Sequence, residues 1–421
     1  MLKQIEGSRA TAESVALCRP EVICAYPITP QTHIVEGLGE MVRTGELQNC
    51  EFINVESEFA ALSVAIGASA AGARAYTATA SQGLLFMAEA VYNASGLGLP
   101  IVMTLGNRAI GAPINIWNDH SDAMSMRDAG WMQLFAETNQ ESVDLHIQAF
   151  RLAEELSMPV MVCVDGFILT HAVERVDIPE QADVDAFLPS YQPVQVLDPD
   201  DPISIGAMVG PDAFTEVRFL QHYKQNLALR LLPEFAAEFK ARFGRDSGGL
   251  LRTYRAEDAE ILVVAMGSVN GTIKDTIDEM RAEGVRIGLV TLVAFRPFPT
   301  EKLREALTGA SHVVVVEKSF AIGMGGQLAN NVDLALRNTP KAPQVHSAVA
   351  GLGGRPITRP SLRRLFRQAL VQPWEGIHFL DLNEAIVAKE LHRARKVRRS
   401  GPTAENILRR LNPQAQLTAA E

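Results

Sequence analysis

EFINVESEFAALSVAIGASAAGARAYTATASQG, residues 51–83, decides how the rest of the chain is read. A short apolar run, Phe52 to Val55, leads to two carboxylates, Glu56 and Glu58. Ala, Gly and Ser then fill a helix-length stretch from Phe59 to Gly72, and a second short run, Ala75 to Ala80, ends in Ser81-Gln82-Gly83. The pattern predicts strand, acidic turn, small-residue helix, strand and glycine turn. Small side chains along a whole helix cost propensity but let another backbone or a ligand approach closely. A carboxylate at the start of that helix also sits at the carboxyl end of a parallel strand, where open α/β sheets bind ligands. Glu58 therefore has two readings: a cap on a tightly packed core helix, or a group in a ligand crevice.

The same rhythm extends on both sides. Upstream, Ser8 to Leu17 has a helical pattern, and Glu21 to Tyr26 reads as a strand stopped by Pro27-Ile28-Thr29-Pro30. Two prolines bracketing Ile-Thr bar the loop from continuing as strand or helix, which holds Thr29 on a stiff turn. Thr32 to Leu47 resumes a helical period. Downstream, a helix over Leu84 to Ser95 and a strand over Pro100 to Leu105 empty into Gly106-Asn107-Arg108-Ala109. GAPINIWNDHSD, residues 111–122, reads as an irregular binding loop that concentrates Trp117, Asn118, Asp119, His120 and Asp122. A helix from Val143 to Ser157 and a strand from Pro159 to Val164 complete a set that argues for an α/β fold, a parallel sheet covered on both faces.

Residues 172–250 break the rhythm with a proline-rich connection and a helical piece over Glu216 to Phe243. Gly244 to Gly249, short, polar and glycine-rich, is the expected domain boundary. A second α/β rhythm follows: strands over Glu260–Ala265, Arg286–Val293, His312–Val316 and Gln344–Val349, with helices between them. GMGG at 323–326 lacks the GxGxxG and GxxxxGK[ST] contexts and reads as a tight strand–helix turn. The expected organisation is 1–248, 249–372 and a helical extension over 373–421. That extension ends its helical pattern in HRARKVRRS, a solvated face or a clamp on an acidic partner.

Composition narrows the function classes. Acidic residues outnumber basic ones 49 to 39, for a net charge of −10. Nucleic acid is thereby disfavoured, the more so because no aromatics interleave the basic run. Cys18, Cys24, Cys50 and Cys163 fall in no CxxC or Cys/His ligand pattern and read as buried thiols, with no metal site expected on this chain. No stretch of about 18 apolar residues and no charged-then-apolar leader is present, so a cytoplasmic protein is expected. GxSxG and HExxH are absent. His120, lone in its loop, reads as structural more readily than catalytic. Thr29, Glu58 and Arg108 each lie just past an expected strand of one parallel sheet, and such ends converge on one crevice. An arginine and a hydroxyl on rigid turns suit a small carboxylate, although Arg108 could equally be in a structural ion pair. A glutamate followed by an apolar helix suits a partly desolvated carboxylate able to exchange a proton with a ring nitrogen.

YPITP at 26–30, ESE at 56–58, TASQG at 79–83, NRA at 107–109 and WNDHSD at 117–122 resemble the α subunit of 2-oxoacid:ferredoxin oxidoreductases, in the same order and over about residues 8 to 370. The resemblance implies a pyrimidine-binding domain of thiamine diphosphate enzymes followed by a transketolase C-terminal-like domain. It implies that Glu58 binds the aminopyrimidine N1′, that Thr29 and Arg108 hold the substrate carboxylate, and that Pro27, Ile28 and Gln82 line the cofactor. The implied reaction is oxidative decarboxylation of a 2-oxoacid with coenzyme A, with electrons passing to ferredoxin. No GDG with a downstream Asn pair and no cluster-binding cysteines are found. The β subunit is thus expected to bring Mg²⁺, the diphosphate site and a [4Fe-4S] cluster, beside γ and ferredoxin-like δ subunits. Alone, the chain is expected to be inactive. Gln31-Thr32-His33 departs from the Ser/Thr-and-proline pattern of pyruvate enzymes, which leaves phenylglyoxylate dehydrogenase, with NAD reached through a flavin subunit, as an alternative. A scaffold subunit that only joins partners is the alternative of another class.

Overall fold

The computed structural model describes residues 1–372, 374–396 and 402–411. Its first sheet has seven strands, in the order Ala294–Arg296, Met132–Phe135, Val160–Asp165, Val102–Asn107, Ala75–Thr79, Val22–Ala25 and Glu51–Asn54. All are parallel except the first. The central runs Ala75–Thr79, Val102–Asn107 and Val160–Asp165 are buried along their whole length, as a sheet with helices on both faces requires. One face is covered by helices Gly7–Leu17, Thr32–Thr44, Asn139–Leu156 and Phe214–Phe243, whose Val15, Leu38, Phe150 and Phe239 share a core. On the other face lies the small-residue helix, Glu58–Ala70. It packs on strands Val22–Ala25 and Ala75–Thr79 and on helix Ala88–Gly96. Ser57 caps it by accepting the Ala60 N–H at 3.2 Å.

A six-stranded sheet follows, in the order Ile377–Phe379, Gln344–Val349, His312–Glu317, Ile261–Ala265, Ile287–Leu292 and Leu251–Tyr254, antiparallel only at its last pair. The two sheets share an apolar core. Met103, Leu105 and Met161 of the first cluster with Leu262, Val264, Val290 and Val313 of the second. Strand Ala294–Arg296 leaves the second run to join the edge of the first sheet.

Several expectations need correction. The helix expected over Leu84 to Ser95 is two, Ser81–Phe86 and Ala88–Gly96, and the first begins earlier because the Asp122 carboxylate accepts the Ser81 N–H. The 111–122 loop is irregular only to His120, since Ser121–Ser125 is helical. The strands Leu2–Glu6, Val173–Asp177, Met132–Phe135, Leu251–Tyr254, Ala294–Arg296 and Ile377–Phe379 were not expected. Each is three to five residues long and is specified by a distant pairing partner rather than by its own periodicity. The last of them extends the second sheet past residue 372. Helix Glu384–Lys396 occupies part of the expected tail helix, and the end of the basic run, 397–400, lies outside the described residues. Among the described residues no helix is long and apolar enough to cross a membrane.

Candidate active site

Strand Val22–Ala25 lies between Glu51–Asn54 and Ala75–Thr79, so the winding of the sheet reverses there. The turns at this switch carry Thr29, Glu58 and Gln82, and Arg108 follows the next strand along. The structure therefore brings these sequence-derived candidates to one end of one sheet, the end at which open α/β sheets bind ligands. Gln31, absent from the expected site, pins the proline loop. Its buried side chain donates to the carbonyls of Tyr26 at 2.9 Å and Ala78 at 3.3 Å.

Glu58 is the first residue of its helix and is only 7% exposed, whereas Glu56 faces solvent. Its carboxylate lies against Gly83: a Cβ there would sit 2.7 Å from Glu58 Oε1 and 2.5 Å from Thr79 Oγ1. Thr79 Oγ1 is buried without a hydrogen-bond partner. Among the described residues the Glu58 carboxylate likewise has no hydrogen-bond or ion-pair partner. A nearly buried carboxylate left in this way is costly unless another group arrives to meet it.

Arg108 is 6% exposed. Its Nε donates to the Asn115 carbonyl at 3.0 Å and one terminal nitrogen to the Thr29 carbonyl at 3.0 Å. Among the described residues no carboxylate lies within ion-pair distance of it, so the structural ion pair is not found. Burial lowers its pKa, and nearby Asp122 opposes that shift. The remaining N–H donors are available to an anion, in the fork geometry that recognises carboxylates. Thr29 and Pro27 are exposed, and Ile28 is half-buried. Gln82 lies against Gly111 and accepts from the Ser81 hydroxyl at 2.5 Å.

Asp122 ties these turns together. Its buried carboxylate accepts from Asn107 Nδ2 and from the backbone N–H groups of Arg108, Ser81 and Ala123, at 2.8–3.0 Å. Burial pushes its pKa up to about 7 despite those four donors. Behind it lies a buried junction between the sheets. His120 Nε2 meets Asp165 Oδ1 at 2.7 Å, while Lys318 Nζ donates to Asp165 Oδ2 at 3.0 Å and to Asn118. Ser268 donates its N–H and hydroxyl to the same carboxylate. Burial alone would raise the Asp165 pKa, but Lys318 and His120 hold it well below the usual range. His120 is thus a buried structural group. Sequence reasoning missed Asp165 and Lys318, which lie 153 residues apart and carry no local signal.

GMGG is a turn whose helix N-terminus is already filled. Glu317 accepts from the N–H groups of Leu328 at 2.8 Å and Ala329 at 3.2 Å. A Cβ on Gly326 would lie 2.0 Å from its oxygen. The chain's own carboxylate stands where a phosphate would need to bind.

A family model described as "Pyruvate flavodoxin/ferredoxin oxidoreductase, thiamine diP-bdg" matches residues 13–229, and "Pyruvate:ferredoxin oxidoreductase core domain II" matches 259–361. The chain belongs to this family. It is a PorA-type α subunit of a 2-oxoacid:ferredoxin oxidoreductase. "Pyruvate synthase subunit PorA" of Methanosarcina barkeri is 47% identical over 390 residues, covering 91% of this chain and 97% of that protein. The same subunit of Methanothermobacter thermautotrophicus is 44% identical over 386 residues, covering 91% and 99%. "Ketoisovalerate oxidoreductase subunit VorA" of Pyrococcus horikoshii is 40% identical over 357 residues, covering 85% and 90%. The fold matches 2-oxoglutarate:ferredoxin oxidoreductase from Magnetococcus marinus, solved with 2-oxoglutarate, coenzyme A and succinyl-CoA bound. The TM-score is 0.67 at 18% identity over 87% of this chain and 65% of that one. A split gene transketolase matches with TM-score 0.53 at 16% identity, over 88% of this chain and 100% of that one. The α/β parallel-sheet fold and the thiamine diphosphate-binding domain expected from the sequence are thereby established.

Proposed function

We propose that this subunit contributes one wall of a thiamine diphosphate pocket in a complex that oxidatively decarboxylates pyruvate with coenzyme A and passes electrons to ferredoxin. The observation that carries the reading is the nearly buried, partnerless Glu58 carboxylate at the switch point of the first sheet. The orphaned Thr79 hydroxyl beside it leaves polar capacity for a ligand, and Gly83 has no side chain to displace the Glu58 carboxylate from that position. When bound, the cofactor supplies a nucleophilic carbon and an electron sink for decarboxylation of the 2-oxoacid. Glu58 holds a proton at the aminopyrimidine N1′, and its burial strengthens that contact. Arg108, fixed by two carbonyls and without an ion-pair partner among the described residues, takes the substrate carboxylate beside Thr29. Pro27, Ile28 and Gln82 form the wall around the pyrimidine.

The partners follow from what this chain lacks. A β subunit brings Mg²⁺, the diphosphate site and a [4Fe-4S] cluster, and γ and ferredoxin-like δ subunits complete a cytoplasmic assembly. The chain divides at 248/249, and the C-terminal extension expected from residue 373 begins only after strand Ile377–Phe379, which belongs to the second sheet. Pyruvate is favoured by the relatives named pyruvate synthase, against the ketoisovalerate relative at lower identity. The test is 2-oxoacid-dependent ferredoxin reduction by the assembled complex with pyruvate, ketoisovalerate, 2-oxoglutarate and phenylglyoxylate in parallel. The highest kcat/KM is expected with pyruvate. A preference for another acid overturns the substrate assignment, and activity without added or bound thiamine diphosphate overturns the reading itself.

A further inference from the structure

Glu6, His33 and His171 come together from three places in the chain. Glu6 ends strand Leu2–Glu6, His33 lies in the first turn of helix Thr32–Thr44, and His171 follows strand Val160–Asp165 on a short loop. One ligand atom from each lies within 4.8 Å of the others. His33 Nδ1 is 2.7 Å from Glu6 Oε1, and the two imidazoles have centroids 4.9 Å apart. None of the three takes part in the pocket proposed above.

We propose that Glu6, His33 and His171 bind one divalent transition-metal ion of the zinc class. Zinc takes imidazole nitrogen and carboxylate oxygen at about 2.0–2.2 Å, which sets the donors of a tetrahedral site roughly 3.4 Å apart. The Glu6–His33 contact at 2.7 Å and the 4.8 Å outer limit bracket that value, so side-chain rotations that move donor atoms by up to about 1.5 Å close the site. Two imidazoles and one carboxylate leave a fourth position for water, and the partial exposure of all three side chains gives an ion access. The neighbours of His171 serve as outer support. Its Nδ1 is 2.7 Å from Thr170 Oγ1, which already accepts the Phe167 N–H at 2.8 Å. With Nδ1–H donating to that oxygen, Nε2 keeps its lone pair for the metal, the usual way a ligand histidine is oriented. Phe167 packs on the same ring at 4.6 Å and on Trp117 at 4.8 Å. A bound ion would thus tie the chain's first strand and the proline-loop helix to the segment beside the Trp117 loop.

The site is tested by isothermal titration of the full chain with zinc chloride, beside the His33→Ala/His171→Ala double variant and Glu6→Gln. Glu6→Gln keeps a hydrogen bond to His33 while removing the charged ligand. Wild type is expected to bind one zinc per chain, with affinity at least about tenfold weaker in Glu6→Gln and lost in the double variant. Cobalt(II) is expected to give a tetrahedral visible spectrum that zinc displaces. Zinc is also expected to raise the thermal midpoint of wild type, to raise that of Glu6→Gln less, and to leave the double variant's unchanged, which separates lost binding from lost fold. Absence of zinc binding by the wild type, or equal binding by the double variant, overturns the proposal.

Discussion

Glu58 and Glu317 are two nearly buried carboxylates, each pressed against a glycine at the carboxyl end of a parallel sheet, yet they have opposite surroundings. Glu317, in the second sheet, accepts two backbone N–H groups at the start of a helix. Glu58, in the first, accepts none among the described residues. The arginines and lysines repeat the contrast. Arg74, as buried as Arg108, pairs with Glu154 and donates to two carbonyls, and Lys318 is matched to Asp165. The Arg108 guanidinium donates to two carbonyl oxygens and, among the described residues, has no carboxylate within ion-pair distance. A counter-charge offsets the desolvation cost of a buried charge, whereas a buried charge without one costs stability and is useful when a ligand completes it. Among the described residues Glu58 and Arg108 stand without a counter-charge at the ligand end of the first sheet, whereas the matched pair Lys318–Asp165 joins the two sheets.

That contrast can be broken by mutation. Glu58→Gln is expected to lower pyruvate-dependent viologen reduction by the assembled complex at least about 100-fold. The urea midpoint of the full chain should hold or rise, because no native hydrogen bond is lost. Retained turnover would place Glu58 among the structural carboxylates. Lys318→Met leaves Asp165 buried without its strongest counter-charge and is expected to cost about 3–5 kcal/mol in urea unfolding. A cost near zero would show that the junction is not what joins the sheets. Arg108→Ala should raise the KM for pyruvate about 10- to 100-fold, the worth of a charge-assisted pair. Arg108→Lys should recover only part of it, since the bidentate fork is gone; an unchanged KM would remove Arg108 from the pocket.

The smallest effect sharpens the comparison at Glu317. Its carboxyl is pushed by burial up to about 7 from an ordinary 4.5, despite the N–H groups of Leu328 and Ala329. A raised acid holds its proton longer in the folded state, so its stabilising share is whole below the ordinary value and is lost as pH climbs through about 7. Glu317→Gln should therefore flatten the fall in urea stability between about pH 4.5 and pH 7, with activity retained. An unchanged slope would mean that the group titrates normally.

The candidate crevice was legible because its signals are local. Prolines on both sides of Thr29, an acid before a run of Ala, Gly and Ser, and Arg108 just past an apolar run each report a strand's end without knowledge of its neighbours. The junction of His120, Asp165, Ser268 and Lys318 was not legible, since its members lie on both sheets and none is unusual in its own segment. For the same reason the edge strands escaped. Ala294–Arg296 is three residues long and is a strand only because Met132–Phe135 lies beside it. The readings of GMGG as a turn and of His120 as structural stood on absent motifs and missing neighbours, and only the tertiary structure supplied Glu317 and Asp165 as positive reasons.

By itself, the sequence determined the α/β rhythm, the strand ends that carry Thr29, Glu58 and Arg108, and the order of motifs that marks the family. These depend on periodicity and on turn chemistry within about a dozen residues. Tertiary structure alone decided which charges are matched. Pairing depends on groups brought within about 4 Å from positions far apart in the chain, and no local pattern encodes that distance.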